Sequence, residues 1–273
     1  MSVAGLLESF GQPQFEYGVS MSRWPASMRS RFVELGPDQA LVDFLERARR
    51  LRASRARTWA QRALRLLISD YDANALLNMY PMHLFGTAQV ERLLDRERGG
   101  RLLDIGAGSG DVTASMIPLF DVVEAVETAW AARWRLRRRG LICHAYDVAG
   151  VGIEGEGYAV ISLLNVLDRA DRPATLLERC RAKMTRDTRL LISVPLPYRP
   201  HVYVGGASRA PRERLPIVGS RFSDALLRLV ENTLIPGGFY LECFTRLPYL
   251  SGGDSAERIT ALDAAVLLLS RSR

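Results

Sequence analysis

The first third of the chain has the apolar spacing of helices. Across residues 37–79 apolar side chains such as Leu41 and Phe44 recur every three or four positions, and no run is typical of a strand. A short helix is also predicted for Thr87–Leu94, with its first residue as the N-cap. We therefore predict that residues 1–95 form an N-terminal helical extension.

Beyond this extension, short apolar runs alternate with helical segments, which is the order of a doubly wound sheet. A proline-rich and glycine-rich stretch, 195–222, is predicted to be a long loop. The last two strands are predicted to form an antiparallel hairpin joined by a loop around 248–260. The expected fold of 96–273 is α/β, with a Rossmann-like, seven-stranded sheet. The predicted strands are 101–105, 122–127, 141–146, 158–164, 189–194, 239–245 and 264–269, and the predicted helices are 111–118, 129–139, 173–184 and 223–234.

A glycine-rich turn follows the first of these strands. The sequence LLDIGAGSG at 102–110 is followed, at the end of the next predicted strand, by Glu127. Glycines let the backbone approach a ligand closely, and a carboxylate at that position can accept hydrogen bonds from both hydroxyls of a ribose. The Gly-x-Gly-x-Gly spacing, and Asp111 in the following turn, favour S-adenosylmethionine over a dinucleotide, whose pyrophosphate the carboxylate would repel. The residues predicted to bind this cofactor are Asp104, Gly106, Gly108, Ser109, Glu127, Asp147 and Asn165.

Two polar residues follow the predicted strand at 158–164. Asn165 and Asp168 are three positions apart, which places them on one side of a helical turn. Ligands in open α/β sheets bind at the carboxyl ends of the strands, so both residues are candidates for the site. The alternative is that they only cap the turn.

Three segments resemble one protein family. The sequences LLDIGAGSGDVT (102–113), ISLLNVLDR (161–169) and FTRLPYL (244–250) are similar to the DREV family, the methyltransferase-like protein 9 group. The resemblance implies a class I methyltransferase fold and methylation of protein histidine side chains. It further implies the N1 (pros) nitrogen of histidine in His-x-His motifs as the target, with S-adenosyl-L-homocysteine as the product.

The same resemblance implies roles for individual residues. Asn165, Asp168 and Tyr249 are the implied catalytic residues, with Asp168 accepting a hydrogen bond from the imidazole and so selecting its tautomer. The implied substrate-binding residues are Asp168, Arg199, Arg246 and Tyr249. For Arg246, binding an acidic part of the substrate and pairing with Asp168 are both open.

The sequence departs from the family pattern at three positions. Ser109 replaces the usual Asp, Arg199 stands where a His is usual, and His201 stands where a Tyr is usual. Two other functions are compatible with the pattern: a methyltransferase for a small molecule, and a noncatalytic scaffold that binds the cofactor. The arginines of 195–222 favour an open groove for a peptide, and the intact glycine motif favours catalysis.

Composition restricts the possible partners. The net charge is +7, and 37 residues are Lys or Arg, of which Lys183 is the one lysine. We interpret the arginine clusters as solvated helix faces, and nucleic acid is not an expected partner. The scattered cysteines and histidines predict no metal site. The sequence has no apolar run of membrane-spanning length and no leader, so we expect a cytoplasmic or nuclear monomer.

Overall fold

The structure is a computed structural model that describes residues 15–22, 24–50, 55–95, 97–204, 207–252 and 259–272. The described helices lie in the extension and, further along the chain, between the strands of the sheet. A π-helical turn, Val230–Leu234, continues the last helix. The helices are α1 (Ala26–Arg29), α2 (Gln39–Arg50), α3 (Arg55–Leu64), α4 (Asp70–Leu76), α5 (Thr87–Leu94), α6 (Trp130–Arg138), α7 (Val148–Val151), α8 (Pro173–Lys183) and α9 (Phe222–Leu229).

Eight strands form the main sheet, in the order β1-β9-β10-β6-β5-β2-β3-β4. Strands β2 to β6 are parallel, whereas β10 pairs antiparallel with both β6 and β9. The predicted doubly wound α/β fold and its antiparallel hairpin are confirmed. The strands are β1 (Met82–His83), β2 (Arg101–Ile105), β3 (Val122–Val126), β4 (Ile142–His144), β5 (Tyr158–Leu164), β6 (Arg189–Pro195), β9 (Phe239–Gly252) and β10 (Ile259–Arg271).

The sheet has one strand more than predicted. All seven predicted strands form, and β1 of the extension joins the outer edge of β9, where His83 lies opposite Leu250. A strand of two residues leaves no alternation in the sequence from which it could be predicted. In its described residues the extension consists of helices α1 to α5 and this short strand, joined by loops.

The predicted loop at 248–260 is largely wrong. Strand β9 continues to Gly252 and β10 begins at Ile259, so that Pro248 is paired with Asp263 inside the hairpin. Proline is tolerated there because β1 pairs with positions 250 and 251 of β9, further along the strand, and not with Pro248. Residues 253–258 lie outside the described part of the chain.

Three further predictions differ in detail. The predicted helix at 111–118 consists of two 3₁₀ turns, Thr113–Ser115 and Ile117–Leu119, the second with proline in its centre. The loop 195–222 contains a small hairpin of β7 (Val202–Val204) and β8 (Ala207–Arg209). Thr87 is not the N-cap of α5, because Gly86 occupies that position and the Thr87 hydroxyl donates to the carbonyl of Ser115.

The extension shares the core of the sheet. Trp24 and Met28 belong to the apolar cluster on one face, and Leu84, Phe85 and Leu93 to the cluster on the other. The predicted stripe of α2 also packs inward, onto the distal part of the β9–β10 hairpin. Both faces of the sheet are therefore buried partly by residues that precede it in the chain.

Candidate functional site

The glycine turn after β2 is held by Glu127. Gly106 and Gly108 have φ angles of +73° and +55°, which favour glycine. The carboxylate of Glu127 accepts hydrogen bonds from the N–H of Gly108 at 2.9 Å and of Ala129 at 2.9 Å. A Cβ at Gly106 would approach Val166 to 2.7 Å, whereas one at Gly108 would meet nothing within 4 Å. The turn is therefore rigid on its inner side and open toward a ligand.

Asp104 supports this turn from behind. Its buried carboxylate accepts hydrogen bonds from the hydroxyls of Thr113 at 2.6 Å and Ser162 at 2.7 Å. Burial raises its pKa to about 6, and the two hydroxyl donors oppose that shift. Both oxygens are occupied, so the contribution of Asp104 in this geometry is to tie β2 to β5 and to the turn that follows.

A cavity of about 260 Å³ opens beside the turn, between the ends of β2, β3 and β5. Glu127 and Asp147 both line it, as a nucleoside site requires. Asp147 accepts from the N–H of Ala149 at the start of α7 and pairs with Arg172 at 3.1 Å. Ser109 lies in the glycine turn, partly buried.

The end of β5 carries two buried acceptors without partners. Asn165 has a φ of +56°, and its N–H donates to the Ser193 hydroxyl at 2.9 Å. Asp168 is 4% exposed, and its Oδ2 pairs with the Nε of Arg169 at 3.2 Å. Within the described residues, the Oδ1 atoms of Asn165 and Asp168 have no hydrogen-bond partner. Burial raises the pKa of Asp168, and the adjacent Arg169 opposes the shift.

These features are costly to the folded state. An unpaired buried acceptor costs about 1–3 kcal/mol, and a non-glycine residue with positive φ costs about as much. Strained and unpaired groups of this kind are concentrated in functional sites. Both lie at the carboxyl edge of the sheet, beside the nucleoside cavity, which Val166 also lines.

The loop after β6 covers Asp168 from one side. The Tyr198 hydroxyl donates to the carbonyl of Leu167 at 2.9 Å, and the N–H of His201 donates to the carbonyl of Asp168 at 2.9 Å. The His201 imidazole also contacts the guanidinium of Arg169. Arg199 is exposed on the same loop. Of the three substituted positions of the family pattern, His201 therefore contacts Asp168 and Arg169 directly, and Arg199 lies two residues before it on the same loop.

Tyr249 closes another side of this space. Its hydroxyl donates to the Sδ atom of Met82 at 2.6 Å, and the Met82 N–H donates to Asp111 at 3.3 Å. Burial raises the pKa of Tyr249, and the nearby negative charge of Asp168 adds to the shift. Tyr249 thus lies within reach of the charge of Asp168, and β1 of the extension contributes Met82 beside its hydroxyl.

Arg246 does not join this group. Its guanidinium pairs with Asp263 at 2.6 Å and with Glu16, donates to the carbonyl of Gly18, and lies over the ring of Phe222. Neither of the two alternatives left open for it corresponds to these contacts. Its position in the FTRLPYL sequence is explained by two ion pairs of its largely buried guanidinium, one with Asp263 of β10 and one with Glu16 of the extension.

The sequence reasoning missed several residues around the opening. Tyr198 is bonded to Leu167 next to Asp168, Met82 of β1 contacts the Tyr249 hydroxyl, and the charge of Asp168 acts on Tyr71 of α4. No spacing rule connects them with the strands that carry the predicted residues. The proline-rich surroundings of Tyr198 were the one available signal, since they indicated a loop of unusual length at that position.

The sheet order, the glycine turn and the carboxylate of Glu127 together define a class I methyltransferase that uses S-adenosyl-L-methionine. A comparison with protein families agrees: residues 17–271 match the family described as DREV methyltransferase. The match includes most of the chain, and the protein therefore belongs to the DREV methyltransferase family, as the three sequence segments predicted.

Solved methyltransferase structures are similar at low sequence identity. The N-methyltransferase NodS of Bradyrhizobium japonicum, in complex with S-adenosyl-L-homocysteine, is 13% identical, with 68% of this chain and 86% of that chain covered and a TM-score of 0.44. The magnesium protoporphyrin IX methyltransferase of Synechocystis, with bound S-adenosylmethionine, is 13% identical, with 68% and 78% covered and a TM-score of 0.44.

None of the helices in the described ranges has the length and apolar character needed to span a bilayer. Within the same ranges, His, Cys, Asp and Glu side chains form no group of three or more that could hold a metal ion.

Proposed function

We propose that the protein transfers the methyl group of S-adenosylmethionine to histidine side chains of a protein or peptide, at the N1 (pros) nitrogen within His-x-His motifs. One observation carries this proposal: the Oδ1 atoms of Asp168 and Asn165, three residues apart at the end of β5, are both buried and without a hydrogen-bond partner among the described residues. A buried acceptor of this kind is available for a hydrogen bond from a donor on a ligand. The N–H of a neutral imidazole is such a donor.

Asp168 would select the reactive tautomer. In a neutral imidazole one nitrogen carries the proton and the other a free lone pair. When the ionised Asp168 accepts the N–H of the distal nitrogen, the pros nitrogen is left with its lone pair. Because burial raises the pKa of Asp168, the ionised form depends on the positive charge of Arg169, whose Nε lies 3.2 Å from Oδ2. We expect methylation to fall as the pH falls through this raised pKa.

Glu127 would hold the ribose of the cofactor and Asp147 its adenine. The open side of the glycine turn, at Gly108, would face the cofactor. When bound, S-adenosylmethionine would supply a methyl group from its positively charged sulfur to the pros nitrogen, with S-adenosyl-L-homocysteine as the leaving group, and the methylated imidazolium would then lose a proton. Asn165, held at φ +56° at the end of β5, would bridge the cofactor and the substrate. Since the imidazole enters neutral, positioning by these side chains replaces a strong general base.

The opening suits a peptide. The loop 195–222 contains five arginines and one glutamate, and Arg212 lines the cavity. Arg209 and Arg212 pair with Asp171, whereas Arg199 is exposed beside His201. Such a basic rim favours an extended substrate with polar or acidic flanks over a small apolar molecule.

The test is methylation of a peptide that contains His-Ala-His, analysed by fragment-ion mass spectrometry and by chromatography that separates 1-methylhistidine from 3-methylhistidine. We expect a methyl group on the pros nitrogen, its loss in Asp168→Asn and Asn165→Ala, and wild-type activity in the exposed control Asp187→Asn. Cofactor binding without methylation of the peptide would contradict the proposal and indicate a different acceptor.

A further inference from the structure

Helix α4 of the extension is fastened to the start of α6. The buried Oδ1 of Asp72 accepts a hydrogen bond from the N–H of Ala131 at 2.9 Å, and Arg135 donates to the carbonyl of Ala75 at 3.2 Å. Small side chains, Ala75, Ala131 and Ala132, are buried between the two helices and allow their close approach. Asp72 itself is fixed by the Ser69 hydroxyl at 2.6 Å.

This attachment lies next to the cofactor site. Ala131 is in the first turn of α6, four residues after Glu127, whose carboxylate accepts the N–H of Ala129. Free N–H groups at a helix start favour a carboxylate partner. Asp72 provides it from a different part of the chain, so α4 is positioned by the element that positions Glu127.

The neighbouring residue, Tyr71, faces the opening. Its side chain is 49% exposed, yet burial raises its pKa, and the charges of Arg169, Glu127 and Asp168 all act on its hydroxyl. The next residue, Asp72, is bonded to Ala131, close to the Ala129 N–H that Glu127 accepts, so Tyr71 lies near the carboxyl edge of the sheet beside the cofactor site. Tyr203 of the β7–β8 hairpin also raises the pKa of the Tyr71 hydroxyl.

We propose that Tyr71 covers the bound cofactor between Glu127 and Asp168 and, together with Tyr203, narrows the entrance through which the substrate side chain reaches it. The role at the entrance rests on the proposed function, whereas the cofactor contact does not. An aromatic ring beside the sulfonium of S-adenosylmethionine gains a cation–π attraction in addition to its apolar contact. The extension is then a part of the active site.

The first experiment is calorimetric titration of the full chain with S-adenosylmethionine and with S-adenosyl-L-homocysteine, without any peptide. Tyr71→Ala is expected to weaken binding of S-adenosylmethionine about tenfold, and Tyr71→Phe to retain it, because the ring and not the hydroxyl makes the contact. The matched control is Tyr240→Ala, which removes a tyrosine of similar exposure, 50%, at the start of β9. Unchanged affinity in Tyr71→Ala would overturn the proposal.

A second pair of variants tests the attachment of α4. Asp72→Ala is expected to weaken cofactor binding to the same extent as Tyr71→Ala, and the double variant to lose no more than either one, since Asp72 acts by positioning Tyr71. Fully additive losses would show that the two residues act independently and would overturn the link. Far-ultraviolet circular dichroism of each variant verifies that the sheet is intact.

The outcome is separable from that of the proposed function. If the His-Ala-His peptide is not methylated but Tyr71→Ala still weakens the cofactor, the histidine proposal fails and the cover over the cofactor stands. If the peptide is methylated but Tyr71→Ala binds the cofactor as tightly as the wild type, the histidine proposal stands and the cover over the cofactor fails.

Discussion

The two halves of the site treat their polar groups differently. On the cofactor side, every carboxylate oxygen of Asp104 and Glu127 accepts a hydrogen bond from the protein. On the substrate side, Asn165 and Asp168 each keep a buried Oδ1 with no partner among the described residues. The halves are adjacent at the same edge of the sheet, because Val166, which follows Asn165 in the chain, lines the cofactor cavity.

The difference separates preorganisation from recognition. Groups that hold the glycine turn are satisfied before any ligand binds, so the turn keeps its shape in the free protein. Groups that face the substrate remain without hydrogen-bond partners, which raises the free energy of the free protein. A ligand that donates hydrogen bonds to these groups therefore binds more strongly. Substitutions on the substrate side should therefore lower turnover. Substitutions on the cofactor side should change cofactor affinity or the stability of the protein.

The largest effect is expected for Asp168→Ala. Loss of the group that selects the imidazole tautomer should lower kcat by about 10³-fold, while the Kd for S-adenosylmethionine changes little. Initial rates with a His-Ala-His peptide and calorimetric titration separate these quantities. Wild-type turnover in this variant would remove the tautomer argument.

Asp104 should affect stability as the pH changes. Its pKa is raised to about 6 in the folded protein, above the ordinary value of an aspartate, so the folded state binds the proton more tightly than the unfolded chain does. This contribution to the free energy of unfolding is complete below about pH 4 and is lost as the pH rises through about 6. From the size of the pKa shift, the loss is about 3 kcal/mol.

The measurement for Asp104 is urea unfolding of the wild type and of Asp104→Asn between pH 4 and pH 7. The asparagine variant has no titration at this position and serves as the reference. A difference between the two proteins that is independent of pH would contradict the expected coupling.

Glu127→Ala should weaken the cofactor and leave the chemistry intact. Losing a charged acceptor for the ribose hydroxyls costs about 1.5–3 kcal/mol, or about 10- to 100-fold in Kd. At saturating S-adenosylmethionine the turnover should return close to that of the wild type. If saturation does not restore the rate, Glu127 contributes to the methyl-transfer step as well.

The smallest effect is expected for Asn165→Gly. Glycine adopts a φ of +56° without strain and removes an unpaired buried oxygen, so the free energy of unfolding should rise by about 1 kcal/mol. Turnover should nevertheless fall. A stability gain with lost activity, measured by thermal unfolding and by peptide methylation, would sharpen the contrast between the two halves, whereas lower stability would contradict it.

Much of the fold could be predicted because its signals are local. Continuous apolar runs such as 158–164 indicated the buried strands, and the distance from the glycine turn indicated Glu127. Contacts between distant parts of the chain left no such signal. Nothing in the spacing of residues connects Asp72 with Ala131, or Glu16 with Arg246. The pairing of β1 with β9 likewise joins distant segments and could not be predicted from a local pattern.

The FTRLPYL segment of β9 has a consequence for how the chain folds. Phe244 packs against Trp24 and Phe32 at 5.3 and 5.4 Å between ring centroids, and Tyr249 contacts Met82. Trp24, Phe32 and Met82 therefore pack against a strand, β9, that is synthesised much later than they are. Such contacts, separated by about two hundred residues, slow folding through the entropy of closing long loops. The native sheet edge, and with it the active site, is completed only after β9 has left the ribosome.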